Sequence, residues 1–334
     1  MVYSFQLIRH PNIHYRQAVI RLSQCELTAM LKNLAIEAEI RVRRMGGADF
    51  LVFECRELSP EEISWLSGHS CIVFMAESRG DYLIPLQPSF SDAFSPDLPE
   101  ILKYKGKTNP TLTRMMLNTV LSLASFPGRP QMFRVLDPLC GKGTTLFCAL
   151  CAGCSAVGMD LDGKALKEAA DYFSRYLKMH RIKHSLRAHS ETVGRQSVPV
   201  TSFSFGFDRS SSGNAASLDF FLCDSSFADR LLRKRPAHVL IADLPYGVQH
   251  APSSEGRTGT FASFLRDVLP SWKKAVLPGG AIALSYNTLT LSPSEIRRSL
   301  SAAGFVPIEE NAFSGLEHRV EQAVTRDIVF ALAP

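Results

Sequence analysis

The sequence contains no apolar run long enough to cross a bilayer as a helix, and this excludes a helical membrane span. Its opening residues, Met1-Val-Tyr-Ser-Phe-Gln, lack the basic start, apolar centre and small-residue cleavage site of a secretory signal. We therefore expect a soluble, cytoplasmic protein that does not engage a membrane. Eight cysteines without such a signal do not make a disulfide framework. Metal-ligand spacing is missing too. Cys148, Cys151 and Cys154 recur every three residues, and His180, His184 and His189 lie close together. The histidines match no known ligand set and have no acidic partner, so no metal is expected. The cysteines read as small hydrophobes of a helix packed on a sheet over residues 143–153.

Charge is scarce at one end. The first 100 residues carry 9 Lys and Arg against 13 Asp and Glu, and the remainder 28 against 19. A basic C-terminal two-thirds points to an anionic partner, most naturally nucleic acid. Its densest part runs from Arg175 to Arg187 and includes Arg181 and Lys183. It reads as a solvated face on which RNA phosphates would lie.

A chain of 334 residues has room for about two domains. Residues 1–100 read as a small N-terminal α+β domain, a structural or substrate-orienting module. Ala18–Leu22 is strand-like, Gln24–Leu34 helical, and Asp49–Cys55 and Cys71–Glu77 are apolar runs bounded by turn residues. Residues 101–130 read as a linker and lead-in helix, with a helix over Thr111–Leu123 after the cationic stretch Lys103–Pro110. From residue 131 to 334 strands and helices alternate, the pattern of a parallel α/β sheet with crossover helices. An insertion near 184–217, read as a hairpin, interrupts it. The pattern closes with a turn at Pro278–Gly280 and strands at Val306–Asn311 and Ile328–Leu332. His318 and Arg319 read as an exposed loop between those two strands.

Two strand ends carry the chemistry. The first strand runs into Asp137-Pro138-Leu-Cys140-Gly141-Lys-Gly143-Thr144, and a helix follows. Glycines there let the backbone turn tightly and approach a ligand, with helix N–H groups exposed. The second strand ends in Asp160-Leu161-Asp162, 23 residues beyond Asp137, where a carboxylate can bind ribose hydroxyls. The third glycine of a dinucleotide fingerprint is missing. An acid facing a pyrophosphate would also be repelled, whereas it suits an amino group. Further on, Val239-Leu-Ile-Ala stops at Asp243-Leu244-Pro245-Tyr246-Gly247. This leaves a carboxylate, a proline-fixed turn and an aromatic face where α/β sheets bind ligands. Asp243 and the Leu244 carbonyl would accept N–H bonds from a planar amine. Pro245 would aim that carbonyl, and Tyr246 would stack on an unpaired base.

Together, the Asp137–Thr144 segment, Asp160-Leu-Asp and Asp243-Leu-Pro-Tyr-Gly resemble the RNA methylase family of class I S-adenosylmethionine-dependent methyltransferases. The resemblance is to its tRNA guanosine-N2 methyltransferases, often fused to THUMP domains, and covers about residues 101–334. Tyr104-Lys-Gly-Lys107-Thr108-Asn109 with Asn118 is similar to the segment preceding that family's catalytic domain. The family usually has proline where Leu244 stands. The resemblance implies a Rossmann-like methyltransferase sheet and S-adenosylmethionine as cofactor. It places Asp137, Pro138, Cys140, Gly141, Gly143, Thr144, Asp160, Leu161 and Asp224 at the cofactor. Lys107, Thr108 and Asn109, with the basic Arg181 and Lys183, would meet the substrate.

The expected activity is methyl transfer to an exocyclic nucleobase amine, guanine N2 in tRNA before others. Alternatives are amino-methylation of DNA adenine or protein glutamine, or a non-catalytic RNA-binding protein that keeps the fold. The need for a small activator subunit is not written in the sequence.

Overall fold

The computed structural model describes residues 1–9, 13–87, 93–102, 107–126, 132–206, 215–245, 261–321 and 324–334. None of its described helices is long and apolar enough to cross a membrane.

The N-terminal unit is an antiparallel sheet of β1 (Val2–Leu7), β2 (Arg41–Met45), β3 (Ala48–Glu54), β4 (Ile72–Arg79) and β5 (Tyr82–Pro85), in the order β2-β3-β1-β4-β5. Strand alternation gathers Tyr3, Phe5, Leu51, Phe53 and Met75 on one face. Helices α1 (Ile13–Asn33) and α2 (Pro60–Ser67) close over that face through Leu27, Met30, Leu31 and Leu66. A reciprocal cap between Ser59 and Glu62 starts α2. Ala18–Leu22, expected as a strand, lies inside α1. Its apolar, β-branched run suits a strand locally. Leu22, Cys25 and Ala29, however, are buried at helical spacing in the main core, and tertiary packing overrides the local preference.

The second unit is built on a sheet of ten strands. Five are parallel and adjacent: β10 (Ala215–Leu222), β7 (Ser155–Asp160), β6 (Arg134–Asp137), β11 (Ala237–Asp243) and β12 (Val276–Asn287). Then β15 (Val324–Ala333) pairs antiparallel with β12, and both β13 (Val306–Pro307) and β14 (His318–Glu321) pair antiparallel with β15. Leaving aside the β8–β9 insertion and β14, and numbering the other strands along the chain, their order across the sheet is 6-7-5-4-1-2-3 with strand 7 antiparallel. This is a Rossmann-like sheet. The insertion is a hairpin, β8 (His184–Val193) and β9 (Gln196–Gly206), that extends the sheet antiparallel from β10.

Each face of this sheet has its own core. Helices α4 (Pro110–Leu123), α5 (Thr144–Cys151) and α6 (Gly163–Met179) cover one face. Against the other lie α7 (Ala228–Leu231), α8 (Phe261–Ala275) and α9 (Pro293–Ala302). Between the units runs the short α3 (Leu98–Ile101). Pro278–Gly280, expected as a turn between elements, is a bulge inside β12. Ala237 pairs with Val276 but Val239 with Ala281, and Gly279 takes φ +85°. Only Val306–Pro307 of the expected Val306–Asn311 strand pairs, because the chain turns into a 3₁₀ helix at Asn311–Phe313.

Residues 101–130, expected as linker and lead-in helix, contribute a helix buried around nearly its whole circumference. Asn109 caps α4 and accepts from Thr111 N at 2.8 Å. Inward-facing residues of α4 pack on the large sheet, while Leu22, Cys25 and Ala29 of α1 join the same core from outside. A buried polar network locks this contact. The Asn118 amide donates to Glu26 Oε1 at 2.7 Å and to Gly68 O at 2.9 Å. Ser70 donates to the same carboxylate through N at 2.8 Å and Oγ at 2.5 Å. Arg21 and Lys32 of α1 also reach across, to the carbonyls of Asn311 and Ser314 and to Glu310 respectively.

Glu26→Ala would strand several buried donors at once. Each such donor costs about 1–3 kcal/mol. Equilibrium urea unfolding is expected to show a loss of about 3 kcal/mol, with Glu26→Gln losing less.

Candidate active site

The turn joining β6 to α5 is drawn against β7. Cys140 N donates to Met159 O at 3.0 Å, and Gly141 N to Asp160 Oδ2 at 2.7 Å. Gly158 makes the approach possible. A Cβ there would lie 2.5 Å from Leu146 Cδ1 and 2.6 Å from Cys140 Sγ, which no packing tolerates. Gly141 and Gly143 take φ +50° and +85°, conformations that cost a side-chain-bearing residue more than glycine. At Gly141 an added Cβ would meet nothing within 4 Å. The turn is thus packed on one side and open on the other. Thr144 opens α5, so the first helical N–H groups lie at the same place.

Three carboxylates end the three neighbouring strands β11, β6 and β7: Asp243, Asp137 and Asp160. Asp160 is held through both oxygens, Oδ2 by Gly141 N and Oδ1 by Asp162 N at 2.9 Å. Asp137 is almost fully buried and accepts from Leu139 N at 3.0 Å. Burial pushes its carboxyl up to about 7. A hydrogen bond from Thr145 pulls the other way, and the charges of Asp160 and Asp243 add to the rise. The Asp243 carboxyl is likewise raised by burial, against the pull of Arg326, Thr108, Ser285 and His318. Among the described residues no three His, Cys, Asp or Glu side chains converge in a metal-holding arrangement. An organic cation suits this acidic pole, since an ammonium group beside Asp137 would favour its ionised form.

Around Asp243 the structure gathers residues from both ends of the chain. Thr108 Oγ1 donates to Asp243 Oδ2 at 2.5 Å, and Arg326 Nη2 lies 3.4 Å from the same oxygen. Asp243 pairs with Ser285 in register across β11 and β12, and Leu244 N donates to Ser285 O at 2.8 Å. The Asp243 side chain keeps 17% of its surface exposed, with Oδ1 buried. Arg326 and Ser285 were missed in the sequence. The signal was a charged pair, Arg326-Asp327, at the head of the apolar run Ile-Val-Phe-Ala-Leu. Both prove buried, and Asp327 accepts from the Tyr286 hydroxyl at 3.0 Å. His318, expected in an exposed loop, is buried in β14, where pairing with β15 brings it beside this cluster. Burial holds its imidazole below the ordinary value.

The other expected residues are distributed as follows. Pro138, Cys140, Gly141, Gly143 and Thr144 form the β6–α5 turn, and Leu161 follows Asp160 with its side chain exposed. Asp224 lies just past β10, its Oδ1 accepting from Ser226 N at 2.8 Å. Of the lead-in residues, Thr108 reaches Asp243, Asn109 is spent on capping α4, and Lys107 Nζ donates to Glu100 O at 3.1 Å. Arg181 and Lys183 stand elsewhere. They precede β8, whose His184 is level through Phe205 with Ala216 at the amino end of β10, whereas these acids lie at the carboxyl ends. Tyr104, Tyr246 and Gly247 fall outside the described residues.

No family model and no curated protein matches the chain. Solved structures do. TrmN from Thermus thermophilus is 18% identical over a match covering 88% of this chain and 59% of that one, at a TM-score of 0.43. Magnesium protoporphyrin IX methyltransferase from Synechocystis, solved with bound SAM, is 12% identical over 67% and 79%, at 0.39. An rRNA methylase from Streptococcus thermophilus is 12% identical over 60% and 86%, at 0.32. The chain thus spans about three-fifths of the length of TrmN.

Asp137 gives a pH test with a definite sign. Its carboxyl is raised in the folded chain, so between 3.8 and about 7 the folded state holds a proton that the unfolded state has lost. Stability should therefore fall as pH rises through that window, by on the order of a few kcal/mol. Unfolding temperatures measured across the window should decline in the natural protein and flatten in Asp137→Asn.

Proposed function

We propose that the chain is an S-adenosylmethionine-dependent methyltransferase acting on an exocyclic amine of an RNA base, with guanine N2 in tRNA as its substrate. The observation that carries this reading is the partly exposed side chain of Asp243, one strand away from the buried acid and open glycine turn of β6. The cofactor, when bound, supplies a methyl group already activated by a positively charged sulfur.

The residues present fit that cofactor. Asp137, raised by burial, answers an ammonium group, and the side of Gly141 free of neighbours admits a ligand against the backbone. Asp160 and Asp224 keep carboxylate lone pairs beyond their backbone bonds for ribose hydroxyls and an adenine amine. The exposed Leu161 offers an apolar surface beside them.

On the substrate side, methylating a base amine requires its lone pair to be freed from the ring. Asp243 does this by accepting one N–H, and the Leu244 carbonyl by accepting another. The Leu244 peptide is fixed through its N–H to Ser285, and Pro245 limits the turn that follows. Arg326 and Thr108 favour the ionised form of Asp243 and hold it in one orientation. The stacking face expected of Tyr246 lies outside the described residues. The RNA reading rests on the motif resemblance and on the basic balance of the chain beyond residue 100.

The test is incubation of the full chain with methyl-labelled cofactor and unmodified tRNA, followed by digestion to nucleosides. Labelled methylguanosine is expected, falling on the order of 10²-fold or more in Asp243→Ala. S-adenosylhomocysteine should still raise the unfolding temperature of that variant. Label appearing in DNA adenine or peptide glutamine instead would replace the substrate, and no stabilisation of the natural protein would remove the cofactor.

Asp243 must be ionised to accept, so kcat/KM should fall with decreasing pH at a point above the ordinary carboxylate value. Arg326→Gln should move that fall to higher pH, because the charge that favours ionisation is gone.

A further inference from the structure

The crossover from β10 to β11 contains only a 3₁₀ turn at Ser225–Phe227 and the single turn of α7. Beside it, between the 230–235 segment and one face of β8, β9 and β10, lies a cavity of about 500 Å³. That volume is in the range of small-molecule sites. Its lining carries five cations, Arg134, Arg230, Arg233, Lys234 and Arg235, against only two carboxylates, Asp219 and Glu191.

Arg134 is the fixed centre. Its side chain is 9% exposed, with Nη2 on Asp219 at 2.9 Å and Nη1 on the Arg235 carbonyl at 2.7 Å. Its Nε is buried with no hydrogen-bond partner, and so is Nδ1 of His189, another lining residue. Both nitrogens are packed into the wall of the cavity, so its recognition of a ligand falls to the exposed cations around it. Asp219 is already matched by Arg134. The remaining four cations, all exposed at the rim, therefore face Glu191 alone. Arg187 sits in one row with Ser202 and Asp219 across β8, β9 and β10 and continues the positive surface outward. Guanidinium groups in number, with the hydroxyls of Thr192 and Ser202, match an oxyanion that accepts several bonds at once.

We propose that this cavity binds the phosphate of a nucleotide-sized ligand, at a site separate from the acidic pole that holds Asp243. Arg134 opens β6 and Asp137 ends it, so the two sites lie toward opposite ends of that strand. The proposal does not rest on the methyl-transfer reading. The phosphate could belong to a free nucleotide or to the backbone of an RNA, and the chemistry of recognition is the same.

Titration of the full chain with inorganic pyrophosphate, read by calorimetry, tests it. Saturable binding is expected, weakened at least tenfold in Arg233→Ala/Arg235→Ala. Both positions are exposed, so the unliganded variant should unfold at the natural temperature. Displacement of pyrophosphate by a short oligoribonucleotide would identify the ligand as RNA backbone, and displacement by a mononucleotide alone as a small molecule. The proposal is overturned by an absence of saturable binding, by unchanged affinity in the double variant, or by displacement with neither competitor.

Discussion

Like charges crowded at one edge of a sheet are what the rest of this molecule has to accommodate. Asp243, Asp137 and Asp160 end adjacent strands, and two of them are pushed up by burial. Each is handled differently. Asp160 gives its oxygens to backbone N–H groups and so ties the glycine turn to β7. Asp243 has Arg326 and Thr108. Asp137 has only neutral donors, Leu139 N and Thr145, and it is the acid whose ionisation most depends on a cation arriving from outside. A site arranged in this way is set up for a positively charged ligand before any ligand binds.

The partners of Asp243 show why the N-terminal hundred residues matter to a site they do not enter. Thr108 precedes α4, and α4 is clamped between the large sheet and α1. Glu26 sits in that clamp with its carboxylate satisfied by Asn118 and Ser70. Arg326 comes from β15, next to the β14 strand on which α1 also bears. The small antiparallel domain therefore braces the two segments that hold the Asp243 carboxylate from either side. This is a mechanical contribution, distinct from any contact it makes with substrate.

Much of the large sheet was legible because parallel strands buried on both faces read as short apolar runs punctuated by acids and glycines. Asp137, Asp160 and Asp243 stood out for the same reason, each closing such a run. What escaped notice was set by contacts distant in sequence. Ala18–Leu22 looked extended until Leu22 and Cys25 met α4. The helix expected within residues 101–130 is present, but its burial in two cores was not legible, because a helix with few charges can be interior as easily as connecting. Arg326 drew no reading in the sequence, because only the antiparallel return of β15 against Asn287 brings it to the Asp243 end of the sheet. His318 was hidden by the same return.

The helix α4 belongs to two cores at once, and this bears on how the protein can be divided. A gene fragment starting at the motifs of β6 would inherit all three acids, yet it would lose Thr108 and the helix that fills the sheet beneath them. A fragment starting at residue 101 would keep α4 but leave the apolar side that Leu22, Cys25 and Ala29 cover open to water. The smallest heritable unit that carries an intact Asp243 environment is therefore the two lobes together. Domain shuffling or truncation at the boundary the sequence suggests would cut through the molecule's shared interior.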